Sequence, residues 1–235
     1  MYSELTAAGH DDFVIISAAQ DSQGEAAAGK LFDKANVTYH CIVDATHKIS
    51  TLFGWVNVPS AAWIDEEGRI VRSNEGVYAG EHTIKMGVAS MSFGGTAFAD
   101  ATRDWVQKGA DSEFVWSAEE LREHLKPVSD DTLLADPTFK LGVHFVNDGD
   151  GERAQRHFAD AQRLSPDNWN YHRQGWTHKS GGHALRMWSK KTKAMRENEP
   201  EKAYYDPMGL PGEDVKQSSQ VEWIWTTLWR KLRGS

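Results

Sequence analysis

The chain has 235 residues, with 26 basic against 34 acidic side chains for a net charge of −8, and a single cysteine. The acidic balance argues against a general nucleic-acid binder. One thiol excludes an intrachain disulfide, a four-cysteine zinc site and a Cys-x-x-Cys redox pair. No run of about 18 apolar residues is present, so no membrane span is expected. The N-terminus lacks a basic region followed by an apolar core, so no secretory signal is read there and a cytoplasmic location is expected.

In chain order, residues 2–10 read as a helix closed by Gly9. Phe13 to Ala18 is a continuous apolar run, as expected of a strand buried on both faces of a parallel sheet. Asp21 to Gly24 is a loop with Ser22 as candidate N-cap. Glu25 to Ala35 is Ala-rich with helical apolar spacing, and Asn36 can close it. Val37 to Val43 is a second β-branched strand ended by Asp44. His47 to Phe53 reads as a short helix with Gly54 as its cap. Val58-Pro59 then launches Ser60 to Ile64, a Glu66-Glu67-Gly68 turn and a return strand from Ile70. Proline, lacking an N–H, suits the first position of a strand, and the turn glycine can take a positive φ. The order strand, helix, strand, helix, hairpin makes an α/β pattern with right-handed crossovers.

The Val58-Pro59 pair, the short apolar strand and Asp65-Glu66-Glu67-Gly68-Arg69-Ile70 resemble the second half of a thioredoxin-like domain of the redoxin (TlpA/ResA and peroxiredoxin-related) type. The resemblance implies that Pro59 is a cis proline facing a redox site. It also implies a gap at the front. The family's Cys-x-x-Cys opens the helix within which Met1 falls, so the motif and its strand would lie upstream, either lost or truncated. Deleting that strand would expose sheet edges, which the protein would have to cover by oligomerising or rearranging.

Gly76 to Gly95, rich in Gly, Ser and Thr, is read as an irregular connector. Thr96 to Lys108 has a helical pattern. Ser117 and Glu120 form a capping box for a helix that stops before Pro127. Leu141, Gly142, Phe145, Ala154, Phe158, Ala161 and Pro166 fall at the positions of a tetratricopeptide repeat over residues 135–168, with Asn147 to Gly151 as the turn. Thr138 departs from that pattern. A lone repeat cannot bury its own face, so the segments 118–125 and Trp169–Trp176 are expected to cap it. Asn168 to Gln174 also resembles the end of some redoxin proteins with helical extensions. Residues 197–220 read as a polar, proline-bearing arm. Val221, Ile224, Trp225, Leu228, Trp229 and Leu232 form an apolar helical stripe followed by Arg230, Lys231 and Arg233. That stripe suits docking on the chain's own surface or on a second subunit, and its small basic face disfavours a membrane surface.

The expected architecture is a thioredoxin-like α/β domain over 1–80, a connector with a helix over 81–116, an all-α tetratricopeptide-like region over 117–196, and a linker with a Trp-rich helix over 197–235. Cys41, placed in a buried strand, is read as a small hydrophobe, with a nucleophilic thiol as the alternative. His40 would point to the opposite face and could not activate it. Trp55, Val58, Pro59 and His172 are the candidate substrate- or partner-binding residues. His172, His178 and His183 lack a compact ligand spacing, and His144 and His157 lack a third ligand, so neither a metal nor a cofactor is expected. The functional expectation is a redox-inactive thioredoxin-fold protein acting through binding. Its protein partner or second copy is met by the helical half and by Trp223, Trp225 and Trp229. The alternatives are a truncated thiol-disulfide oxidoreductase or peroxiredoxin-like protein, and an enzyme of another class using a pocket between the two halves.

Overall fold

The computed structural model describes residues 2–7, 9–10, 13–86, 89–179 and 184–213. In chain order the elements are α1 (Tyr2–Ala7), β1 (Ile16–Ala19), α2 (Glu25–Ala35), β2 (His40–Val43), α3 (Lys48–Phe53), β3 (Ser60–Ile64), β4 (Ile70–Glu75), β5 (Glu81–Met86) and β6 (Ala89–Gly94). Then follow α4 (Ala97–Lys108), a 3₁₀ turn (Gly109–Asp111), α5 (Ala118–His124), α6 (Asp130–Asn147), α7 (Gly151–Leu164), α8 (Trp169–Thr177) and α9 (Ala184–Asn198). The protein is therefore mixed α/β and mostly helical. The expected Trp-rich stripe over 221–232, including Trp223, Trp225 and Trp229, lies outside the described residues. No helix of the described residues is long and apolar enough to cross a membrane.

The described residues fall into two compact units, each gathered from separated stretches. Unit 1 draws on 1–13, 59–124 and 202–213, and unit 2 on 14–58 and 125–201. Among the described residues the strands do not join into one sheet. Strands β1 and β2 pair in parallel, β3 pairs antiparallel with β4, and β5 with β6, each as a separate two-stranded sheet.

In unit 1 the β3–β4 hairpin turns on Asp65. Its Oδ1 accepts from Glu67 N at 3.1 Å and Arg69 N at 2.8 Å, and Gly68 takes φ +78°. Trp63 points inward, stacked in parallel on Trp105 of α4 at 4.9 Å and tilted against Phe98 at 5.8 Å. With Ala101 and Leu210 these rings form the unit's core. The stretch 76–95 is a correction: an irregular connector was expected, and residues 81–94 form the β5–β6 hairpin, with Glu81 opposite Gly94 and Met86 opposite Ala89. The alternation Thr83-Ile84-Lys85-Met86 and Ser90-Met91-Ser92-Phe93 has the period of two that a strand needs, and the high Ser and Gly content masks it. The capping box forms as read, with Glu120 Oε2 accepting from Ser117 N at 2.7 Å and Ser117 Oγ from Glu120 N at 3.2 Å.

Unit 2 packs the β1–α2–β2–α3 segment with α6 to α9. Helix α2 ends at Asn36, which adopts the left-handed φ 46°, ψ 48°. Its N-cap is Gly24, with no side-chain cap bond, so the expected capping role of Ser22 is corrected: that hydroxyl is engaged by α8. Helices α6 and α7 occupy the predicted helix-turn-helix. Their core is Ala135, Phe139, Ala154, Phe158 and Ala161, with Tyr171 of α8 against it. Gly142 lets α6 approach: a Cβ there would lie 2.5 Å from Phe158 Cε1.

Strands β1 and β2, expected to be buried, are not. Ile16 is 65% and Ile42 45% exposed, and Cys41 is exposed rather than a core hydrophobe. Burial on both faces needs neighbouring strands and two covering layers, and among the described residues this sheet has two strands.

Candidate functional site

In open α/β sheets, ligands bind beyond the carboxyl ends of parallel strands. In unit 2 that region is made by the loop after β1, the Asp44–His47 turn after β2, the residues 54–58 and helix α8. Asp44 N donates to Ala19 O at 2.8 Å, which ties the two strand ends together. The buried Asp44 carboxylate caps α3: Oδ1 accepts from Lys48 N at 3.0 Å and Oδ2 from Ile49 N at 2.8 Å. A negative charge there also favours the helix dipole.

His47 follows in a left-handed conformation (φ 58°), wholly buried, its ring tilted on Phe139 of α6 at 4.8 Å. Neither ring nitrogen has a hydrogen-bond partner among the described residues. Burial pushes its pKa down to about 4, against the opposing pull of Asp44, Asp21 and Asp136.

Helix α8 reaches this region with polar side chains one turn apart. Asn168 caps it, its side chain accepting from Asn170 N at 3.1 Å and Tyr171 N at 3.4 Å. Asn170 donates from N to Val56 O at 3.2 Å and from Nδ2 to Trp55 O at 3.1 Å. Arg173 Nη1 donates to Val58 O at 3.0 Å. Gln174 Oε1 accepts from Ser22 N at 3.2 Å and also from Ser22 Oγ. His178 Nε2 lies 2.6 Å from the same Ser22 Oγ, and its ring stacks on Phe158 at 5.7 Å. Burial lowers the pKa of His178, with Asp21 opposing.

A serine beside a histidine at a strand end invites comparison with an activated nucleophile, and the hydrogen-bond polarity decides against it. Ser22 N can only donate, so the Gln174 atom facing it is the carbonyl oxygen. With the single Ser22 hydroxyl proton on that same oxygen, the His178 tautomer that completes the cluster is the one that carries its proton on Nε2 and donates to Ser22 Oγ. A general base needs the opposite arrangement, with its lone pair facing the hydroxyl. No carboxylate among the described residues hydrogen-bonds to the other His178 nitrogen to reverse the tautomer. The cluster acts as a clamp that fastens α8 to the strand ends.

The sequence-selected residues are distributed as follows. Trp55 stacks on Phe53 at 4.5 Å, and its carbonyl, like that of Val58, is held by α8. Pro59 belongs to unit 1, where its carbonyl accepts from Gly76 N at 2.7 Å and Val77 N at 3.3 Å, closing the far end of the hairpin. His172 is buried on α8, with Nε2 2.9 Å from Pro166 O, and burial with nearby Lys191 lowers its pKa to about 4. Cys41 lies on β2, where its thiol reaches Tyr39 O at 3.6 Å, outside the clamp. Trp55, Val58 and α8 thus share one site, in which His172 faces Pro166 and Cys41 takes no part.

Sequence reasoning missed Asn170, Gln174 and His178 as a group. Their spacing of i, i+4, i+8 places them on one face of α8, and that was the available signal. His47 gave none, because its burial depends on Phe139, 92 positions away in the chain. Among the described residues no group of three or more His, Cys, Asp or Glu side chains is placed to hold a metal ion. Compared with protein-family models, curated proteins and solved structures, the chain matches none.

Proposed function

We propose that this chain is a thioredoxin-related protein without thiol redox chemistry that acts through protein binding, with the helices of unit 2 as its contact surface. The observation that carries the reading is on α6. One side of that helix is buried through Ala135, Phe139 and Gly142, while Leu133, Leu134 and Leu141 are 63%, 56% and 46% exposed. Leu134 and Leu141 are two turns apart and share a face. Large apolar side chains grouped on a solvent-facing helix mark an interaction site more often than isolated ones do. The clamp at the strand ends supports the same reading, since Ser22 is held with the wrong polarity for nucleophilic attack.

Two measurements test it together. Insulin-reduction and peroxide-consumption assays are expected to give no turnover above a Cys41→Ser control. Sedimentation velocity is expected to show concentration-dependent association that Leu134→Glu with Leu141→Glu abolishes without loss of helical circular dichroism. Turnover that requires Cys41, or association untouched by the double substitution, would sink the proposal.

A further inference from the structure

The sequence Val221, Ile224, Trp225, Leu228, Trp229 and Leu232 has the spacing of one helix face and is followed at its end by Arg230, Lys231 and Arg233. It lies outside the described residues, the last of which is Glu213. The stretch 214–220 joins the two, and its seven residues reach roughly 25 Å when extended. A connection of that length can carry the stripe onto a neighbouring molecule.

A face of matching length stands uncovered on α6 among the described residues. Asp130, Leu134, Pro137, Leu141 and His144 recur at helical spacing on one side of the helix, and all are exposed, while Ala135, Phe139 and Gly142 are buried on the other side. Asp130 to Leu141 covers the same eleven steps as Val221 to Leu232, about 16 Å of helix in each case. The charges also correspond. Asp130 and Asp131 open α6, both exposed, and neither forms an ion pair among the described residues. Beyond the far end of α6 the acidic groups are already engaged: Asp148 Oδ2 lies 3.2 Å from His144 Nε2, and Asp150 Oδ2 lies 2.9 Å from Arg153 Nε. The three cations that close the stripe therefore fit the start of α6, which sets the two segments antiparallel and lets the helix dipoles oppose. Leu134, Pro137 and Leu141 alone fall far short of the about 800 Å² that each partner buries in a standard interface. Six more large apolar side chains, met twice in a reciprocal exchange, make up that area.

We infer that the exposed face of α6 receives residues 221–232 of a second copy of this chain, antiparallel, with Arg230, Lys231 and Arg233 against Asp130 and Asp131. The inference rests on the proposal that copies associate through α6, and it names what α6 meets. Each copy gives one stripe and takes one, so the contact closes on itself as a two-fold dimer and does not propagate.

The test is sedimentation velocity on the full chain, with circular dichroism as the check on folding. Trp225→Glu with Leu228→Glu should weaken self-association at least ten-fold, as Leu134→Glu with Leu141→Glu does. Asp130→Lys with Asp131→Lys should weaken it as well, and adding Arg230→Glu with Lys231→Glu to that same chain should restore it. Association that survives the Trp225 and Leu228 substitutions but not those on α6 would mean that α6 meets α6. That result overturns the inference and leaves the reading of α6 as the contact surface intact. Stronger association on substituting Trp225 and Leu228 would mean that the segment covers α6 of its own copy, which also overturns it. Association untouched by the α6 substitutions removes that reading and the inference with it. If the apolar substitutions disturb the fold, the charge reversal and its rescue decide alone, and a reversal without rescue overturns the inference.

Discussion

At the scale of single residues, the informative groups are the buried histidines. His47 and His172 have pKa values lowered to about 4 by burial, from 6.5 for an unconstrained histidine. Between those values the unfolded chain binds more protons than the folded one, so stability rises with pH across the window and is lost as pH falls through it. The penalty begins near pH 6.5 and is complete near 4. It reaches at most about 3.5 kcal/mol for each ring, from about 1.4 kcal/mol per unit of pKa. The denaturant midpoint is therefore expected to fall steadily from pH 7 to 4.5. His47→Asn, which tolerates the left-handed backbone at that position, should lower the midpoint at neutral pH and flatten the slope below it. A slope unchanged by both His47→Asn and His172→Gln would mean that neither ring is held neutral. The contrast between the rings shows what a sequence can disclose. His172 stood out within a Trp-rich polar stretch. His47, whose neutrality depends on Phe139, looked like any residue at the start of a short helix.

Elements were more legible than their partners. Helices α2, α3, α4 and the α6–α7 pair lie close to where spacing, caps and glycines put them, because those signals act within a turn or two of chain. The β5–β6 hairpin was lost to its Ser and Gly content, and the exposure of β1 and β2 could not be read, because burial of a strand depends on neighbours remote in sequence. The α6–α7 contact offers a paired test of what local pattern implies. Gly142→Ala forces a methyl against Phe158, with a Cβ only 2.5 Å from Cε1. Overpacking of this kind costs about 1–3 kcal/mol. Gly151, the first residue of α7, has nothing within 4 Å of the same position, and alanine at such an unstrained site stabilises by about 0.4–1 kcal/mol by restricting the unfolded chain. Thermal unfolding should thus move in opposite directions for Gly142→Ala and Gly151→Ala. Equal shifts would mean that the helices do not approach through Gly142.

At the scale of the whole molecule, the three two-stranded sheets among the described residues set the main physical problem. A two-stranded parallel pair leaves an outer edge on each strand, and unpaired edges template further pairing. On β1 and β2 the edges coincide with the exposed apolar side chains Ile16 and Ile42, and Val14, just ahead of β1, is 58% exposed, so closure would satisfy hydrogen bonds and cover apolar area in one step. Cys41 sits at the middle of β2, opposite Ser17 of β1, with its thiol exposed, and reports on that edge directly. In dilute solution it should react with a thiol reagent rapidly and to completion without denaturant. At higher concentration, pairing of β2 with a strand of a second copy should slow the labelling in step with the mass seen by light scattering. Ile16→Lys with Ile42→Lys places charge on the strand pair, the device by which natural edges avoid pairing. It should restore fast labelling at every concentration, and so should the α6 substitutions Leu134→Glu and Leu141→Glu, because without the helix contact the copies do not meet and the strand edge has nothing to pair with. A labelling rate independent of concentration, in a chain that still associates, would place the contact on α6 and leave β2 uncovered.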